Sequence, residues 1–73
     1  MNTYICPFAN ISSDPSTWIE TVRARSISEA KDKIMRDITD DWDLDVPADW
    51  SDFNEILFKE KVIVGRIQDI EEL

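Results

Sequence analysis

Along the chain, apolar residues first alternate with polar ones, then recur three and four apart, then alternate again. Those changes of period lay out the fold. Tyr4, Cys6 and Phe8 take every second position of residues 3–9, which predicts a strand with all three on one face. Pro7 sits in the middle of that strand. Proline has no amide hydrogen to give to a ladder, so either the strand is expected at a sheet edge or the amide of Pro7 is expected to point outward. Asn10 to Ser16 contains Asp14-Pro15 and reads as a loop. Thr17 to Arg25 alternates again, with Val22 and Ala24 inward and Thr21, Arg23 and Arg25 toward water, so a hairpin joins the two strands.

The period then changes. Ser26-Ile27-Ser28-Glu29 has the form of a capping box, with Ser26 as the cap and Glu29 reaching back from the third helical position. Ile27, Ala30, Ile34 and Ile38 follow at helical spacing with Met35 beside them, while Lys31, Lys33 and Arg36 take the other side. This helix is expected to end between Thr39 and Trp42. Residues 43–48 form a connector, because Pro47 drives Val46 out of helical geometry. Asp49 or Ser51 caps a second helix with Phe53, Ile56 and Leu57 as its apolar stripe. Lys61 to Ile67 reads as a third strand, in which Gly65 marks a bulge or a close backbone approach. Asp69 to Leu73 is a short acidic end that packs Ile70 or Leu73. The order ββααβ implies one α+β domain over residues 1–73: a two-layer sandwich whose three-stranded, mainly antiparallel sheet carries two helices on one face.

Composition narrows what such a domain does. A chain of 73 residues buries only about 60% of its unfolded surface, so the core is small. With no His and one Cys there is no Cys/His metal cluster, no Ser-His or Cys-His pair and no intrachain disulfide; Cys6 reads as a small hydrophobe in a strand. A single Gly excludes the glycine-rich loops that cradle phosphates. No cofactor is implied. Met1 to Cys6 lacks the basic stretch and apolar run of a leader, and no apolar run is longer than three residues, so a cytoplasmic setting away from membranes is expected. The net charge of −8 opposes direct contact with a nucleic-acid backbone.

Where that charge sits is more telling than its size. Asp37, Asp40, Asp41, Asp43, Asp45, Asp49, Asp52 and Glu55 fall within 19 residues that contain no Lys or Arg, whereas eight acids and eight bases balance in the rest of the chain. Trp42, Trp50 and Phe53 are interleaved with them. Like charges three or four apart on a helix destabilise it by about 0.2–0.5 kcal/mol per pair. Asp49 and Asp52 gain from the positive end of the second helix, but Asp37, Asp40 and Asp41 stand at the negative end of the first. A local rule broken without compensation points to function.

Three kinds of function fit an acidic surface. Asp41, Asp43, Asp45, Asp49 and Asp52 take positions 1, 3, 5, 9 and 12 of a calcium loop over 41–52, although Val46 stands where that loop needs glycine and Asp52 where it needs glutamate. Alternatively, the carboxylates form a docking surface whose field steers a basic partner, with Trp42 or Trp50 as the desolvated anchor. Trp18, near the loop end of the second strand, is assigned to the core or the sheet edge. Catalysis by paired carboxylates needs a pocket that raises one pKa, and a domain of this size has little room for one, so no catalytic residue is assigned.

Val22-x-Ala24-x-Ser26-x-x-Glu29-Ala30-x-x-x-Ile34 and the closing Ile63-Val64-Gly65-Arg66-Ile67-x-Asp69-Ile70-Glu71-Glu72-Leu73 resemble patterns of small phage and mobile-element proteins. In size and acidity the chain is similar to anti-CRISPR and anti-restriction inhibitors of the DNA-mimic type. Arg25-Ser26-Ile27-Ser28 is similar to the start of a helix in barstar-type inhibitors. The resemblance implies a non-enzymatic inhibitor acting in a host cytoplasm, which presents residues 37–55 as a phosphate mimic to the basic nucleic-acid groove of a nuclease or defence complex. The alternative is a small accessory protein that associates with itself through a sheet or helix face, as a homodimer.

Overall fold

The computed structural model describes residues 1–72; Leu73 and its expected packing lie outside them. β1 (Asn2–Asn10) and β2 (Ser16–Ala24) form an antiparallel hairpin, with Asn2 opposite Ala24 and Asn10 opposite Ser16. In the loop between them, Asn10 Oδ1 accepts the Ser12 amide at 2.9 Å, the local bond that makes asparagine a turn former. α1 (Ile27–Trp42) and α2 (Trp50–Lys59) follow, and β3 (Val62–Val64) and β4 (Gln68–Asp69) close the chain. The sheet is antiparallel and open: β1 is central, β2 pairs on one side, and β3 and β4 share the other.

Two expectations about the strands are corrected together. β1 is the central strand, so of the two placements expected for Pro7 the sheet edge is excluded. The third strand does not run unbroken from Lys61 to Ile67. Phe8 lies opposite Val64 and Ile5 opposite Gln68, so Cys6 and Pro7 face three residues, Gly65 to Ile67. That extra residue is a β-bulge. The Pro7 carbonyl accepts the Gly65 amide at 2.8 Å, which turns the missing donor of Pro7 toward this same gap in the ladder. The proline is tolerated in mid-sheet because its partner strand is interrupted there. Gly65 is required by the contact: a Cβ at that position would lie 2.6 Å from Pro7 Cγ and 3.0 Å from Pro7 O. Asp69 belongs to β4, and Ile70 extends the pairing through its amide to Thr3 O at 3.0 Å.

Both helices cover one face of the sheet, α1 over β2 and α2 beside β3. Tyr4, Cys6, Phe8 and Ala24 from the strands meet Ala30, Ile34, Ile38, Phe53 and Leu57 from the helices, and Val62 and Ile67 close the core. Ile27 is an exception to the expected stripe. It is the first residue of α1 and stays 46% exposed, so packing begins a turn later at Ala30. Cys6 is fully buried; burial, and then the nearby negative charge of Glu20, push its thiol up to about 11. The opposite face of the sheet carries no helix, and there Ile19 and Ile63 are 60% and 44% exposed.

The helix ends follow one device. Ser26 Oγ accepts the Glu29 amide at 3.1 Å, and Asp49 Oδ1 accepts the Asp52 amide at 2.8 Å. In return the acid at the third position reaches one residue beyond the cap: Glu29 Oε1 accepts from the Arg25 amide at 3.4 Å, and Asp52 Oδ2 from the Ala48 amide at 2.8 Å. At the other end of α1, Asp43 adopts the left-handed conformation, φ 54° and ψ 48°. Its amide bonds to Asp40 O at 3.4 Å and that of Leu44 to Thr39 O at 3.0 Å, while Leu44 packs on the core. This is a Schellman ending with aspartate where glycine is usual.

Candidate functional site

α1 ends in acids on every side that does not face the core. Asp37, Asp40, Asp41 and Asp43 are exposed, the last turn holds no base, and Asp45 and Asp49 continue the exposed series through the connector. The single ion pair among the described residues is Lys33 with Glu29 at 3.5 Å, so none of the eight carboxylates from Asp37 to Glu55 is paired with a cation.

The structure divides these eight rather than gathering them. Asp37 and Asp41, one turn apart, border a cleft between α1 and β2. Asp40 lies on another flank of α1, in a cavity of about 190 Å³ with Asp32, Met35, Arg36, Thr39, Val46 and Pro47. Asp49 and Asp52 are engaged in capping α2, and Glu55 lies outward on that helix near Phe58 and Lys59. The calcium-loop spacing is not realised. α1 runs through Asp41 and Trp42, α2 begins at Trp50, and no three acids among the described residues converge to hold a metal ion.

The two tryptophans expected as anchors have different surroundings. Trp50 packs on Phe53 with ring centres 5.3 Å apart, and Lys31 Nζ stands 5.7 Å from its ring centre. It is half-buried and already has a cation over its face. Trp42, also half-buried, lies in the cleft with Asp37, Ile38 and Asp41 from α1 and with Trp18 and Glu20 from β2. The cleft measures about 400 Å³. Trp18 stacks on Phe8, ring centres 5.3 Å apart and planes within 9°, and meets Trp42 at 5.8 Å with a 55° tilt. Its indole N–H donates to Glu20 Oε2 at 2.7 Å.

Trp18 and Glu20 are the site residues that sequence reasoning passed over. The signal was in the alternation. Trp18, Glu20, Val22 and Ala24 share the face of β2 that turns to the helices, so Glu20 is a carboxylate at an inward position. Charged residues are seldom buried without a partner, and a glutamate at such a position marks a cleft.

No helix among the described residues is long and apolar enough to cross a membrane. Compared with protein-family models, curated proteins and solved structures, the chain finds no match.

Proposed function

We propose that this chain is a non-enzymatic binding protein that offers its acidic surface, Asp37 to Glu55, to the cationic groove of a protein partner, and that it acts as an inhibitor where that groove normally holds nucleic acid. One observation carries the reading: eight carboxylates in a 19-residue stretch have no cationic partner among the described residues. Such a surface repels nucleic acid, accelerates encounter with a basic protein and lets carboxylates occupy the places of phosphates. The resemblance to small acidic phage inhibitors supports the same reading, with a host nuclease or defence complex as the partner. Trp42, beside Asp41, supplies apolar contact that charge alone lacks.

The test is capture from a lysate of the native cell on the immobilised chain. A specific partner is expected to release as salt rises and to be displaced by duplex DNA or by RNA. The Asp40→Asn/Asp41→Asn/Asp43→Asn variant should fold and capture nothing. Capture of the same partner by that variant would sink the proposal.

A second reading has its own observation. The helix-free sheet face presents Pro7, Ala9, Ile19 and Ile63 around a shallow apolar depression, a surface suited to a second copy of the chain. A dimer that persists at high salt and dissociates on Ile19→Lys would favour it over the acidic surface.

A further inference from the structure

We infer that the cleft between β2 and α1 receives one arginine side chain of the protein partner, its guanidinium lying against Trp18 and Trp42 and its N–H edge directed at Glu20, Asp37 and Asp41. This rests on the reading of a basic partner given above and names the group that the partner inserts.

The walls choose the ligand. Trp18 is fixed from behind by its stack on Phe8 and at its N–H by Glu20, so its ring is held in place before anything binds. Trp42 meets it at a 55° tilt, and the two indoles make an aromatic corner with Ile38 beside it. Aromatic faces attract cations, and three carboxylates at the same cleft exclude anions. A neutral occupant would strip water from those carboxylates and give nothing back. Among the described residues only the Trp18 indole donates to the Glu20 carboxylate, which leaves Glu20 Oε1 free to accept.

Guanidinium fits better than ammonium. It is planar and weakly hydrated, so it stacks on an indole, and its edge donates in a fork that a carboxylate accepts. A lysine ammonium keeps its water and offers no flat face. The cavity beside Asp40 makes an instructive contrast: it has no aromatic wall and is itself lined by a base, Arg36.

The test is a titration of the ¹⁵N-labelled protein with capped hexaarginine, hexalysine and hexacitrulline, following the indole N–H resonances. Hexaarginine is expected to shift the Trp18 and Trp42 resonances saturably, hexalysine to bind several-fold more weakly and hexacitrulline to leave both unmoved. The Glu20→Gln/Asp37→Asn/Asp41→Asn variant should lose at least about tenfold in hexaarginine affinity. Asp43→Asn/Asp45→Asn/Asp49→Asn should weaken both cationic peptides alike and keep the preference for arginine. Equal affinity for hexalysine overturns the assignment of guanidinium. Shifts confined to amides of residues 43–55, with both indoles still, overturn the cleft and leave the acidic surface standing. Unchanged affinity in the 43/45/49 variant does the reverse. Absence of binding by any cationic peptide overturns both.

Discussion

Asp49 and Asp52 open α2, whereas Asp37, Asp40, Asp41 and Asp43 close α1, and the same side chain acts in opposite ways at the two places. At the start of α2 each carboxylate accepts a backbone N–H that would otherwise go unpaired, and each faces the positive end of the helix dipole. At the end of α1 the dipole is negative, the last turn holds no base, and Asp43 adds a left-handed backbone that glycine adopts more readily. One group of acids builds the fold and the other is carried by it. The difference separates the acids that serve stability from those left for the proposed partner.

Substitutions at the two helix ends should therefore move stability in opposite directions. The largest change is expected at Asp49→Ala, which removes the cap of α2 and should cost about 1 kcal/mol, read from the urea midpoint. An unchanged midpoint would mean that the two acid groups do not differ. Asp43→Asn should stabilise by roughly 0.5 kcal/mol at low salt, since asparagine tolerates the left-handed conformation and removes a charge from the negative end. That gain should shrink as salt rises, and a loss of stability there would break the contrast. The smallest effect is expected at Asp37→Asn, where relief of repulsion from Asp41 one turn later should stabilise by about 0.3 kcal/mol in thermal melts.

The sequence made local features readable and left out those that depend on which strands become neighbours. Ser26 and Asp49 announce their helices because a cap is a bond between residues three apart. The alternation of Tyr4, Cys6 and Phe8 settles which side of β1 is buried. It says nothing of who pairs with β1, so Pro7 leaves an edge and an outward amide both open, and its missing donor faces a bulge in the middle of the sheet. That bulge had a trace in the pattern. Val62, Val64 and Ile67 all turn inward, and the step of three between the last two cannot occur in a regular strand. The acidic stretch was equally plain, since exposure is the default for aspartate. The cleft was not, because it forms only when α1 lies across β2 and brings Trp42 to Trp18, 24 residues earlier in the chain.

Cys6 offers the experimenter a gauge. As the chain's single thiol, enclosed between the central strand and the helices and held protonated by its surroundings, it should ignore labelling reagents for as long as the domain is closed. Each labelling event then records an opening of the layers. The labelling rate follows the opening of the sheet from the helices, with no residue of the chain substituted and no acidic residue disturbed.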